Sequence, residues 1–168
     1  MRYQIRKKQP NSKMCLVCGL KNSLGLAASF YELDSGELLA VFKPREEHQS
    51  YPGRLHGGIV SAILDETIGR ALMIGQAHEY WGVTVEISVR FKKPVPLDEE
   101  LHVIARITGD SKRFFQGSGE LLLADGGIAA EARGKYIKLP LDKIADFNAK
   151  EQDWQVVSRP DDPEFVDI

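Results

Sequence analysis

Residues 57–75 are the one stretch of this chain whose apolar residues keep a helical period, and the segments on either side alternate. Ile59, Val60, Ile63, Leu64, Ile68, Ala71 and Leu72 recur at spacings of three and four, the stripe of one α-helical face. Between 57 and 75 only Asp65, Glu66 and Arg70 are charged, so the helix is apolar over much of its circumference and needs cover on several sides. Upstream, residues 26–43 hold two short alternating runs about Asp34-Ser35-Gly36, a β-hairpin pattern. Residues 44–56, with Pro44, Pro52 and Gly53, read as a loop. Downstream, Val83, Val85, Ile87, Val89 and Phe91 alternate with Thr84, Glu86, Ser88, Arg90 and Lys92, which predicts a long half-buried strand. Further strands are expected at 100–108, 113–124 and 128–139, the last stopped by Pro140. One helix among segregated strands predicts an α+β fold, with an antiparallel sheet wrapped around one long central helix.

Composition narrows the partners. The chain has 168 residues, 43% hydrophobic and 27% charged, with 22 Lys and Arg against 24 Asp and Glu. A near-neutral chain is not built to bind nucleic acid, which demands a basic excess. Two cysteines are too few for a disulfide scaffold. The basic start has no apolar stretch behind it, and no run approaches the ~20 apolar residues of a membrane helix. The expected location is cytoplasmic, with no membrane contact. The expected organisation is an N-terminal arm over 1–24, one domain over 25–140, and a C-terminal segment over 141–168. That last segment reads as a short helix at 141–152 and a loosely held acidic tail.

Two features of the helix carry chemistry. His56-Gly57-Gly58 stands at its start, where the first backbone N–H groups have no intrahelical partner and the dipole favours negative charge. Such a site suits a carbonyl oxygen that becomes an oxyanion; equally, the glycines could serve only close packing. In mid-helix, Glu66 has Arg70 four residues on and reads as an ion-paired residue, whereas Asp65 has no cation at its helical neighbours. An unpaired carboxylate there either lies at a helix edge or serves a site. Eight residues separate Gly57 from Asp65, about 12 Å of helix axis at 1.5 Å per residue. The two cannot converge on one carbonyl within one helix. If both act, the site lies at a two-fold interface between subunits.

Gly53-Arg54-Leu55-His56-Gly57-Gly58-Ile59 followed by Leu64-Asp65 resembles the hotdog-fold acyl-CoA thioesterases, in particular the phenylacetyl-CoA thioesterase-like branch. The resemblance runs through Gly82-Val83-Thr84-Val85-Glu86 and Phe91-Lys92-Lys93-Pro94 to Gly134, and includes Cys15-x-x-Cys18-Gly19, Asn22 and Gly25-Leu26. It implies a hotdog fold that forms homodimers, often tetramers. It also implies that the Gly57 amide, with Gly58 beside it, polarises the thioester carbonyl. Asp65 of the opposite subunit would act as base or nucleophile, and Thr84 would position water. The chain departs from the pattern at Ser50, where several members carry Asn. Gln49, one residue earlier, is the expected carbonyl-side contact. His56 would orient the loop or the sulfur, or be purely structural.

The expected activity is hydrolysis of an acyl- or aryl-CoA to the free acid and CoA, with no cofactor and no metal. A non-catalytic acyl-CoA or acyl-carrier-protein binder on the same fold is the alternative. Arg90, Lys92 and Lys93 at one strand end, and Lys112 and Arg113 at the next hairpin, are candidates for the CoA phosphates, or simply a solvated rim. The acyl group is expected between helix and sheet, with Phe114 and Phe115 lining its channel or simply packing. Structural zinc on Cys15 and Cys18 would need a second ligand pair, and His48, His56, His78 and His102 show no matching spacing.

Overall fold

A computed structural model describes residues 1–75 and 79–168; positions 76–78, which include His78, lie outside the described residues. The strands are β1 (Arg2–Lys8), β2 (Ser29–Leu33), β3 (Leu38–Phe42), β4 (Trp81–Phe91), β5 (Leu101–Asp110), β6 (Phe114–Leu122), β7 (Ile128–Leu139) and β8 (Phe165–Asp167). They form one antiparallel sheet in the order β4-β7-β6-β5-β3-β2-β1-β8 around a single helix, α1 (Gly57–Arg70). The helix continues as a 3-10 turn over Ala71–Met73. No helix among the described residues is long and apolar enough to cross a membrane.

The helix forms because its stripe finds cover. Val60, Ile63, Leu64, Thr67 and Ile68 are buried against Phe30, Leu38, Leu101, Phe115 and Tyr136 of the sheet. Each large aliphatic side chain so covered contributes about 1.5–3 kcal/mol, well above the ~1 kcal/mol of a helix cap. Contact is close at Gly117 of β6, where an added Cβ would lie 2.5 Å from Ile68 Cγ2. The sheet gives up a side chain there so that the helix can sit on its backbone. The core thus fills the space between α1 and the middle of the sheet.

One local reading from the sequence needs correction. β4 is half-buried as expected, with Ile87 and Val89 on the core, but it is an edge strand of the single chain, and Val85 and Phe91 of its apolar set are 55% and 54% exposed. The alternation along β4, however, breaks. Thr84 pairs with Tyr136 but Glu86 pairs with Lys135, so Val85 is an extra residue, a β-bulge. Before the bulge Thr84 shares the inward face of buried Tyr136; after it, Ile87 and Val89 take that face, opposite Gly134 and Ala132. A strict period of two had placed Thr84 with Glu86 and Ser88.

The chain ends are tied into the sheet. β1 pairs with β2 through Ile5 and Leu33, and β8 pairs with β1 through Val166 and Tyr3. Asp162, just before β8, takes Lys8 Nζ at 2.5 Å and the Tyr31 hydroxyl at 2.7 Å. Burial opposes the charge on Asp162, but Lys8, the Arg159 amide and Tyr31 outweigh it and hold its carboxyl below the usual range. The helix expected over 141–152 is only a 3-10 turn, Leu141–Lys143. Beyond it Phe147 turns onto Trp81 and Trp154, an aromatic contact that a continuous surface helix would not require.

Candidate active site

Asp65 lies half-buried in the middle of α1 and receives two hydroxyl groups. Thr84 Oγ1 is 2.9 Å from Oδ1 and 3.0 Å from Oδ2. The Tyr136 hydroxyl donates to Oδ1 at 3.0 Å and approaches the Asp65 carbonyl at 3.2 Å. Asp65 has no ion-pair partner among the described residues. Tyr136 is buried and stacks on Phe115 at 4.8 Å. Burial, then the Asp65 charge and their hydrogen bond, push the Tyr136 hydroxyl far above its usual pKa, so it stays a donor. Sequence reasoning missed Tyr136, because only the register of β4 on β7 brings it to Asp65.

The helix start is assembled separately. His56 is the N-cap, in extended conformation at φ −64° and ψ 134°, and its Nδ1 accepts the Gly58 N–H at 2.8 Å. That bond uses the Gly58 amide and leaves Gly57 as the first-turn donor without an intrahelical acceptor. An added Cβ on Gly57 would meet the Phe91 ring at 3.5 Å, so the amide stands beside the far end of β4. Gln49 Oε1 accepts the Gly53 N–H at 2.8 Å, and Gln49 bridges to Leu55. The side-chain carbonyl of Gln49 is therefore engaged in holding the loop.

Within one chain the two halves are apart. Gly57 adjoins Phe91 at the end of β4, and Asp65 adjoins Thr84 near its beginning. The candidate cations split in the same way. Arg90 and Lys92 lie at the Phe91 end and share Glu131, at 3.8 and 2.5 Å. Lys112 and Arg113 precede Phe114, which pairs with Ile137, the partner of Val83 at the opposite end. The single chain does not bring the two groups together.

A cavity of about 400 Å³ opens beside Asp65. Its walls include Met73, Trp81, Phe147 and Trp154, and Trp81 packs on Trp154 at 4.8 Å. The cavity lies between the helix residues Asp65, Glu66, Gly69 and Arg70 and the strand residues Trp81, Gly82, Thr84 and Tyr136, with the C-terminal segment over it. Phe115 is 1% exposed and packs in the core. Larger hollows of about 1100 and 820 Å³ lie elsewhere, over the arm and tail and over the outer sheet face, and neither is lined by Asp65 or Gly57.

Glu66 and Arg70 form the expected ion pair, at 2.9 Å. Arg70 is 5% exposed, donates to the Pro10 carbonyl at 3.0 Å and lies over Phe30 at 4.3 Å. The second Glu66 oxygen meets Cys15 Sγ at 3.1 Å. The hydrogen bond between the two thiols, then burial and the Glu66 charge, push Cys15 well up; accepting that bond lowers Cys18.

The sequence model of the thioesterase superfamily matches residues 52–130, which span both Gly57 and Asp65. Human acyl-coenzyme A thioesterase 13 is 27% identical over 99 residues, covering 58% of this chain and 70% of its own. A crystal structure of a thioesterase superfamily protein superposes with a TM-score of 0.66 at 27% identity, covering 73% of this chain and 59% of that one. The E. coli PaaI protein, from the phenylacetic acid degradation operon, superposes at 0.61 with 17% identity, covering 68% of this chain and 80% of its own. The chain thus spans well under two thirds of the first of these solved structures. The sheet around one helix is the hotdog fold, as expected.

Proposed function

We propose that this chain, whose residues 52–130 match the thioesterase superfamily model, hydrolyses acyl-CoA thioesters in a site shared by two copies of the chain. The observation that carries this reading is the carboxylate of Asp65, without a cation partner among the described residues and held by two hydroxyls beside a cavity. A carboxylate in that setting is a base or nucleophile rather than half of an ion pair.

The second copy follows from β4. It is an 11-residue edge strand with exposed Val85 and Phe91, a template for pairing with another strand. Antiparallel pairing of two β4 edges, with a two-fold axis near Ile87 and Ser88, brings Phe91 and Gly57 of one copy to Thr84 and Asp65 of the other. It also unites Arg90 and Lys92 of one copy with Lys112 and Arg113 of the other, a cationic rim for the CoA phosphates. The Gly57 N–H then donates to the thioester oxygen. Asp65 removes a proton from water, which attacks the carbonyl carbon; the C–S bond breaks and CoA leaves as thiol. Alternatively the Asp65 oxygen attacks, and water hydrolyses the resulting anhydride. Thr84 and Tyr136 fix the carboxylate, and Gln49 and His56 fix the donor loop. The acyl group lies against Met73, Trp81 and Trp154.

The test is free-thiol release from a panel of short, long and aromatic acyl-CoAs. Asp65→Asn should lower kcat by ~10²–10⁴, the usual range for a lost general base. Near-normal turnover in that variant would remove Asp65 from the chemistry. Tight acyl-CoA binding by the unaltered protein without turnover would favour the non-catalytic alternative. In single turnovers in labelled water, label in the Asp65 carboxylate marks the anhydride route.

A further inference from the structure

The N-terminal arm carries a cluster that the hydrolytic reading does not use. Cys15, Cys18 and Glu66 point their donor atoms at one another, all within 4.8 Å. The turn that holds the sulfurs is specifically shaped. The Val17 and Cys18 N–H groups donate to Cys15 Sγ at 3.3 and 3.5 Å, and the Gly19 N–H closes the turn on the Cys15 carbonyl at 2.9 Å. A Cβ at Gly19 would lie 2.4 Å from that carbonyl oxygen, so only glycine fits after the second cysteine. Two backbone N–H groups thus face one sulfur, and they remain as donors to it once a metal replaces its proton. From the sequence, Cys15 and Cys18 lacked further ligands; the fold supplies one from α1, 51 residues away.

We infer that Cys15, Cys18 and Glu66 bind one zinc ion, which ties the N-terminal arm to the central helix. Two thiolates with a carboxylate suit zinc, whose four-coordinate sites take sulfur and oxygen donors. The charges close: two thiolates and Glu66 carry three negative charges, and zinc with Arg70 carries three positive. Arg70 holds one Glu66 oxygen at 2.9 Å and leaves the other for the metal. The fourth position falls to the Ser12 hydroxyl, 3.2 Å from Cys18 Sγ, or to water in the cavity that Ser12 and both cysteines help to line. Binding displaces both thiol protons to solvent and oxidises nothing. The ion anchors the arm one residue from Asp65, as a structural clamp.

The test uses the full chain and no activity assay, so its outcome is separate from that of the hydrolase reading. Protein saturated with zinc sulfate and passed through gel filtration should retain about one zinc per chain. The Cys15→Ser/Cys18→Ser double variant should retain none, and Glu66→Gln should weaken zinc at least tenfold while keeping the fold. Cobalt substituted into the unaltered chain should show thiolate-to-metal charge-transfer absorption, a readout that needs no variant. The proposal is overturned if chains with both thiols reduced emerge without zinc, if cobalt gives no charge-transfer band, or if the folded double variant holds as much zinc as the parent.

Discussion

The Thr84 hydroxyl is equidistant from the two oxygens of Asp65, at 2.9 and 3.0 Å, and it reaches them only because Val85 bulges out of β4. A hydroxyl shared in this way fixes the plane of the carboxylate. The bulge turns the strand inward at Thr84 and outward again at Glu86, so a local irregularity sets the orientation of the proposed base.

Thr84→Val should therefore lower kcat by about tenfold or more with little change in KM, since one oriented hydrogen bond to a charged group is worth ~1.5–3 kcal/mol. Thr84→Ser, which keeps the hydroxyl, should retain most of the rate. Equal losses in the two variants, measured by steady-state thiol release, would assign Thr84 to packing alone.

Gly57 allows its donor to be deleted without truncating the helix. It occupies the first helical position, where proline is well tolerated, and His56 at ψ 134° already has the backbone that a following proline demands. Gly57→Pro should lower kcat by ~10²–10³, the cost of one lost oxyanion donor, with helix content by circular dichroism unchanged. Mixing it with Asp65→Asn, after dissociation and reassembly, should restore about a quarter of normal activity, because half of the dimers are then mixed and each has one intact site. No recovery in verified mixed dimers would exclude a shared site.

How far the sequence carries is visible at these residues. The helical stripe from Ile59 to Leu72 and the paired alternating runs read directly, because core burial enforces their period. Asp65 stood out through the absence of a cation three or four residues away, and Glu66 through its presence. Tyr136 could not be read, since its role depends on strand register, and the face of Thr84 was misassigned because one extra residue reverses alternation. The pairing of β1 with β2 was hidden in a polar, basic segment whose hydrogen bonds are made by backbone rather than by an apolar stripe.

Tyr136→Phe removes the second hydroxyl from Asp65 while the ring keeps its stack on Phe115. The expected loss of stability is about 1.5–3 kcal/mol, the worth of a hydrogen bond to a charged group, read from denaturant midpoints. Turnover should fall with it, since the phenol helps to hold the carboxylate in place. Turnover equal to the parent's in a folded variant would mean that the phenol does not position Asp65.

The contacts at Asp162 make the C-terminal tail pH-dependent. Its carboxyl is held below the unfolded value, so its contribution is complete above the ordinary carboxylate range and fades as pH falls through the depressed value. Tyr31 works at the other limit. Burial, then its bond to Asp162, push the hydroxyl up to about 12, so that contribution is full below its unfolded value of about 10 and fades as pH rises through the raised one. The Tm gap between the parent and Asp162→Asn should accordingly be widest at neutral pH and narrow below about pH 4. A gap that stays constant into acid would contradict the assignment.

Trp81 and Trp154, the two tryptophans of the chain, both line the cavity beside Asp65. Tryptophan emission, selectively excited, therefore arises wholly at that wall. A ligand entering the cavity displaces water from both indoles at once, and its arrival and departure can be followed in real time on the unlabelled protein.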